Sequence, residues 1–512
     1  RDRSPSRGLG DVYKRQLHNN SNYLSLLTDL THEHNRENSI ALVENGSSVT
    51  YAELLQRTAR ISNSLRCLGL VRGTRVTILL PEGIDSVSII LGALHAGIVA
   101  IPINPWLGEQ AVLQAISMAD PAFTVVGNGD HKGIGKVLHV KDLLCGDRTT
   151  ENEPESVSPD DIAIGLFTSG TTGVSKICYH TYDDILTINR CVGDEIGIRP
   201  TDVCMSASGL HFSYGLFNLI FFPLMRGAIT VLTGLSRRMT ADEVFDYISA
   251  HNVTFFSAIP SFFLRLINSP RAEELRVLRV VATGGEVLGK TLENRLRDTF
   301  GSEGLINIFG STEIGHAVVV NRASDYAPGV TGRVVPGYDL RVVDSSGRPC
   351  RSGVAGELEV KGPSITMGVN NGNDRPRRKV NEWYAMGDAA RINKDGTVSV
   401  LGRLEDIEII DGLQIYPAEI ESEILASGGI SEAAVFVAPV DDVPSLIGIL
   451  TLIDEDMCLS SASIREFIAS RLGSKRTPDF IYTVSELPHL SGGGKLARKT
   501  IRQNWQKLIE AR

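Results

Sequence analysis

Residues 166–180 read LFTSGTTGVSKICYH: an apolar run, then Thr168, Ser169, Gly170, Thr171, Thr172 and Gly173, then Lys176. A stretch with so little side chain exposes its backbone N–H groups, and such donors beside a lysine suit a chain of phosphates. Two further polar clusters follow apolar, strand-like runs: TGGE at 283–286 and GSTE at 310–313. Ligands of open parallel sheets bind beyond the carboxyl ends of the strands, so three such loops on one sheet would define one site. Each cluster is ambiguous alone. Gly-Gly-Glu also reads as a turn with a helix-capping acid, and Glu313 as an acid favouring a helix N-terminus. The glycine loop is not a Walker loop, because Val174, Ser175 and Lys176 follow Gly173, and no G-x-G-x-x-G follows the first strand.

The elements that must position these clusters are legible in part. Thr50 and Glu53 form a capping-box pattern, and Leu54, Thr58, Ile61, Leu65 and Leu68 follow one helical face to Gly69. Strands are expected at 75–80, 162–167, 228–232, 253–259, 276–282 and 304–309, with helices at 240–252 and 291–301. The run 89–103, which contains His95 and Pro102, falls short of a membrane span and reads as a buried helix followed by a buried strand. This alternation predicts an α/β domain of largely parallel sheets. From 328 to 402 short strands and turns predict a β-rich module. After Arg403 come a hairpin at IEIIDGLQI, a helix at PAEIESEIL and strands at AAVFVAPV and IGILTLI. A helix capped by Ser463 and Glu466 and a strand at FIYTVSELP follow, together a small α+β domain. The expected division is 1–16, 17–402 and 403–512, the last mobile.

At 512 residues the chain calls for more than one domain. Its 42% hydrophobic and 22% charged residues are ordinary for a globular protein. A net charge of -9 argues against nucleic acid or anionic membranes as partners. Seven scattered cysteines, with no C-x-x-C pair, predict reduced thiols in a cytoplasm, not a disulfide framework or zinc site. The opening RDRSPSRGLGDVYKRQ lacks the apolar core of a secretory signal and is expected to be a disordered tail or a scar, not a basic RNA-binding arm.

TSGTTG-x-x-K, NIFGSTE (307–313), WYAMGD (383–388), GRLEDIEIIDGLQIYPAEIE (402–421) and GGGK (492–495), in that order, resemble the acyl-adenylate-forming enzymes. That superfamily contains acyl- and aryl-CoA synthetases, adenylation domains and luciferases, and the resemblance runs from about Leu24 to the C-terminus. It implies that 168–173 and Lys176 hold the β- and γ-phosphates of ATP, and that Gly284, Gly285 and Glu286 line the adenine. Asn307 would bond the base, Phe309 would stack on it, and Gly310 and Ser311 would continue the nucleotide-binding run. Thr312 would contact the α-phosphate and Glu313 would hold Mg²⁺. Asp388 would accept from both ribose hydroxyls, aided by Arg403. Lys495 would bridge carboxylate, ribose and α-phosphate, a cation where one anion attacks another. Glu405 matches the hinge position, where Asp or Lys is commoner, and Gly412 would admit a pantetheine arm. Read singly, Asp388 is a turn acid, Arg403 a surface cation, Lys495 a solvated loop residue and Asp411-Gly412 a tight turn.

The run GLHFSYGLFNLIFFPLMRGA (209–228) would form one wall of the acid pocket through His211, Phe212, Ser213, Tyr214 and Gly215. No carboxylate stands there to pair an ammonium, which disfavours α-amino acids. This aromatic wall, His316 after GSTE, and GVTGRVVPGY (329–338) are most similar to benzoate-CoA ligase-like enzymes, although His316 also reads as a packed histidine. The sequence departs from the family pattern at Ser175 and Ile177 beside Lys176, at Val330, and in the one-residue-longer LSGGGK. The polar run 368–383 is expected to be mobile. The leading expectation is an enzyme that uses ATP and Mg²⁺ to turn a small, aryl carboxylic acid into an acyl adenylate and then a CoA thioester. A stand-alone enzyme loading a carrier protein's phosphopantetheine is the alternative; a non-catalytic nucleotide-binding protein and a plain ATPase are weaker ones. A monomer or homodimer is expected.

Overall fold

The computed structural model describes residues 22–128, 133–145, 153–168, 176–300, 304–322, 326–365, 382–410, 413–441, 443–453, 459–489 and 496–510. The chain is α/β, with parallel sheets and helices through its N-terminal part and a β-rich module further on. It divides into two compact units, Arg1–Ser257 with Gly310–Ala317 and Gly362–Asn381, and Ala258–Phe309 with Val318–Lys361 and Glu382–Arg512.

In the first unit a six-stranded sheet runs in the order Val137–His139, Phe123–Val126, Arg75–Leu79, Val99–Pro102, Ile162–Thr168, Lys176–Thr181. Its first five strands are parallel; the last turns back antiparallel. A second set pairs Phe255–Ala258, Val203–Ser206, Ile229–Leu232 and Ile40–Glu44 in parallel and ends in the Ile40–Glu44/Ser47–Thr50 hairpin. Thr50 caps the helix Tyr51–Cys67 through the expected box with Glu53, and Leu54, Thr58, Ile61 and Leu65 are buried. Leu68 ends up exposed because it is the C-cap and lies past the buried stripe. Every residue of the helix Ile84–His95 except Asp85 is buried, and its few polar members, Ser86, Ser88 and His95, are buried with the apolar ones.

In the second unit Val280–Gly284 and Leu305–Phe309 pair in parallel, and Val319–Asn321 and Arg333–Val334 extend them antiparallel. The expected strand at 276–282 begins late: Ala272–Val277 is a 3₁₀ turn that buries Leu275 and leaves Val277 exposed. A four-stranded antiparallel sheet of Asp339–Val343, Gly356–Lys361, Tyr384–Ile392 and Val398–Arg403 forms the β-rich module. Beyond it, the three-stranded sheet of Ile430–Val440, Val443–Leu452 and Phe480–Thr483 separates two apolar clusters. The period-two alternation of the first strand makes them: Ala433 and Val435 face one cluster with Ile420 and Ile424, while Ala434 and Phe436 face the other with Ile501 and Trp505. The helix expected from Ser463 spans Ser461–Leu472 with Ser460 at its cap, so the Ser463/Glu466 box does not form; Ser463 lies inside the first turn, where Ile464 is buried. Among the described residues no helix is long and apolar enough to cross a membrane. The expectations for 1–16 and for the segment 368–381 fall outside the described residues.

Candidate active site

The three polar clusters do not share a sheet. The glycine loop springs from the six-stranded sheet, whereas TGGE and GSTE follow the neighbouring parallel strands Val280–Gly284 and Leu305–Phe309 of another. The reason is local. After Thr168 the chain returns as an antiparallel strand, Lys176–Thr181, which closes that sheet's edge. Thr168 pairs directly with Lys176, so the loop's two ends are fixed at one register position. Ser169, Gly170, Thr171, Thr172 and Gly173 lie outside the described residues.

Alternation along KICYHT divides the work of that returning strand. Ile177 and Tyr179 pack with Val99 and Ile101 in the core. Lys176, Cys178 and His180 take the other face. Burial pushes the Cys178 thiol well up, with Glu313 adding to the effect and Lys176 opposing it. A buried sulfur thus lies within the fields of the two groups assigned to phosphate and magnesium. Lys176 and Glu313 are both half-buried, and among the described residues neither has an ion-pair partner.

The segment after Gly310 is a single tight turn. Ser311 is extended, Thr312–Ile314 forms one 3₁₀ turn, and Gly315 has φ 91°. Three side chains hold its carbonyls. His180 Nε2 donates to the Thr312 oxygen at 2.6 Å, Ser364 Oγ to Ile314 at 2.6 Å, and Ser213 Oγ to Gly315. The Ser311 hydroxyl is buried with no partner among the described residues, a polar atom left for a ligand or water.

The positions assigned to base and ribose lie in the second unit. Gly284 ends its strand, and Gly285 follows in a left-handed conformation. Glu286 accepts from both Ser261 N and Ser261 Oγ at 3.0 Å, in the first turn of the helix Pro260–Ile267. Glu286 is therefore a helix-capping acid, though of a helix earlier in the chain. Asn307 is buried on its strand and donates to the Thr331 carbonyl at 3.5 Å, and Phe309 closes the same strand half-buried. Asp388 and Arg403 are direct cross-strand partners, which sets their 3.1 Å ion pair. Asp388 is buried, and Arg403 reaches outward while also donating to the Met386 carbonyl. Glu405 is exposed on the turn Leu404–Asp406. Lys495 and Gly412 fall outside the described residues.

The aromatic wall is not one group. Tyr214 stacks on His316 at 5.6 Å and 18°, and Phe217 and Phe222 meet the same imidazole edge-on at 5.7 and 5.0 Å. Burial pushes His316 down to about 3, so the ring is neutral at physiological pH. Asn218 Nδ2 donates to the Tyr214 carbonyl and faces His316 Nε2 at 3.4 Å. Gly215 sits where a Cβ would meet the Ser208 and Gly209 carbonyls at 2.2 Å, which excludes any side chain. His211 turns elsewhere: it packs edge-on against Trp106 at 4.8 Å, beside Phe212, and lines a narrow cavity with Glu82. Burial, then Arg238, pushes it down to about 3 as well. The run 209–228 contains Phe217, Asn218 and Phe222, but its motif singles out only 211–215, and no motif points to His180. The first three lie on a π-helical turn, Phe217–Phe221, and its continuation, whose wider winding hides the usual spacing. His180 was legible only from the alternation in KICYH.

With this geometry in view the chain can be placed: it belongs to the AMP-binding enzyme family, whose sequence model matches residues 31–369. It is similar to the 4-hydroxybenzoate–CoA/benzoate–CoA ligase of Rhodopseudomonas palustris, 31% identical over 511 residues with 93% of each chain covered. It is also 30% identical over 463 residues to the p-hydroxybenzoic acid–AMP ligase of Mycobacterium tuberculosis. That match covers 89% of this chain but only 65% of the longer relative. Among solved structures, the benzoate CoA ligase of Burkholderia xenovorans LB400 superposes with a TM-score of 0.83 at 26% identity, covering 94% of this chain and 99% of that one.

Proposed function

We propose that this protein activates an aryl carboxylic acid with ATP and passes the acyl group to the thiol of CoA. In the first step a carboxylate oxygen bonds to the α-phosphorus while the bond to the β-phosphate oxygen breaks, giving acyl adenylate and pyrophosphate. In the second the thiolate bonds to the acyl carbon and AMP leaves. The observation that carries this reading is the pair Lys176 and Glu313, opposite charges that both act on buried Cys178 yet find no ion-pair partner among the described residues. A polyphosphate suits the first, and a divalent cation suits the second. Mg²⁺ bound with the nucleotide would offset phosphate charge, and Glu313 is the residue to hold it.

The remaining roles follow the same reading. Thr168 to Gly173 take the phosphates, Thr312 the α-phosphate, Gly284 to Glu286 with Asn307 and Phe309 the base, and Asp388 with Arg403 the ribose. Lys495 bridges the reacting groups, Glu405 serves as hinge and Gly412 admits the pantetheine. The small domain 403–512 rotates between the two steps. The neutral, aromatic surroundings of His316 favour an uncharged ring over an ammonium or an aliphatic diacid. Loading of a carrier protein is the second reading, favoured by the similarity to a ligase named for joining p-hydroxybenzoic acid to AMP, with no CoA in its name. A cytoplasmic setting with reduced thiols belongs to the proposal.

The test is acid-dependent exchange of labelled pyrophosphate into ATP across benzoate, its hydroxy derivatives, short fatty acids and amino acids. Exchange restricted to aryl acids is expected; exchange with amino acids alone, or none with any acid, would reject the reading. Repeating the best acid with CoA and with a phosphopantetheinylated carrier protein then chooses the acceptor.

A further inference from the structure

We infer that His180 is a positioning residue for the adenylation step, acting through the main chain of Thr312. The inference rests on the roles proposed above for Thr312 and Glu313. His180 is fully buried, and its Nε2 lies 2.6 Å from the Thr312 carbonyl oxygen, 132 residues away in sequence. A carbonyl only accepts, so Nε2 carries the proton. The other ring nitrogen lies 3.5 Å from Asp184 Oδ2, which is buried too. Asp184 is itself fixed: it completes a capping box with Thr181 at the head of the helix Tyr182–Cys191, where its Oδ2 accepts from Thr181 N at 3.0 Å.

The Thr312 oxygen also accepts from Gly315 N at 3.1 Å, so two donors hold it. A trans peptide is planar, and its carbonyl and following N–H point in opposite directions. Fixing the Thr312 oxygen toward His180 therefore aims the Glu313 N–H, and the plane from which both side chains depart, away from the strand. The Gly315 side of the turn rests on the same imidazole: a Cβ there would stand 3.2 Å from His180 Cε1. His180 shares its strand face with Lys176. One strand thus presents the proposed phosphate lysine at one end and at the other grips the turn that faces the α-phosphate and the cation. Nothing in this arrangement requires His180 to touch a substrate.

The experiment compares His180→Phe, which keeps ring volume without a donor; His180→Gln, whose amide nitrogen can reach the Nε2 position; and His180→Asn, whose amide falls short. Each is assayed for acid-dependent pyrophosphate exchange, for thioester formation from supplied aryl adenylate, and for thermal unfolding. The Phe variant is expected to lose 10- to 100-fold in kcat for exchange, with KM for the acid within threefold and the thioester step within threefold. Gln should recover at least a third of wild-type exchange, and Asn should follow Phe. Exchange within twofold of wild type in the Phe variant overturns the inference. So does equal loss of both steps with no rescue by Gln, the signature of a merely structural histidine. If Phe does not fold, the Gln–Asn difference decides alone. Absence of exchange in the wild-type protein would instead strike the proposed function itself.

Discussion

His211 and His316 are two neutral imidazoles in apolar surroundings, both pushed down to about 3 by burial. Unfolding would return each to its ordinary value near 6.5, so the unfolded chain binds more protons between pH 3 and 6.5. Stability from this source is complete above pH 6.5 and is lost as pH falls, by about 2 kcal/mol per histidine at pH 5. His211 Nε2 has no partner among the described residues, so His211→Phe should flatten the acid limb of a melting-temperature profile without lowering its plateau. Glu82 works in the opposite sense. Burial, with Glu44 adding to it, pushes its carboxyl up to about 7 against the two hydrogen bonds from Thr233. The folded protein then holds a proton that the unfolded chain releases above pH 4.5. That contribution is present in full below pH 4.5 and is lost as pH rises through 7. Glu82→Gln keeps an acceptor for Thr233 and should melt higher than wild type at pH 8 but not at pH 5; equal shifts at both would refute the assignment.

At the scale of elements, Gly315 is the turn's weak point. Its φ of 91° strains any other residue, and a Cβ would press to 2.3 Å of Ile188 Cδ1. Gly315→Ala should cost about 2 kcal/mol, a fall of about 2–6 °C in melting temperature, and reduce exchange more than tenfold. Intact exchange would show that the turn tolerates displacement. Elements with a local chemical signature were readable from sequence: the Thr50/Glu53 box, the 240–252 helix with its cap at Thr240, and the parallel strands ending in polar clusters. Those decided by distant packing were not. Three closely spaced serines, Ser460, Ser461 and Ser463, offer equivalent caps, and the burial of Ile464 and Ile468 decides among them. The terminal helix Arg498–Glu510 has helical spacing at Ile501, Trp505 and Leu508 but is polar at most other positions, so packing of that stripe against the sheet decides it. For the candidate site, motifs name the positions but not the division of the aromatic wall, since sequence spacing cannot say that His211 and His316 face different neighbours.

For the molecule as a whole, the proposed two-step cycle requires the region after Arg403 to change position. In the present arrangement Thr291 Oγ1 donates to Glu423 at 2.6 Å and Arg265 lies 3.7 Å from Glu432, contacts that such a rotation would break. Arg498 ties Glu421 to Asp406 beside the proposed hinge, and those bonds lie within the region and could travel with it. The half-reactions should therefore separate. Lys495→Ala is expected to abolish pyrophosphate exchange while leaving thioester formation from supplied adenylate within a few-fold, and Gly412→Trp to do the reverse. Parallel loss in both variants would argue for a single fixed arrangement.

The bond from Ser213 to the carbonyl of Gly315 has an engineering corollary. On the proposed assignment of 209–228 to the acid pocket, trimming Ser213 to alter acid selectivity would also slacken the turn Thr312–Ile314, so selectivity and turnover would shift together.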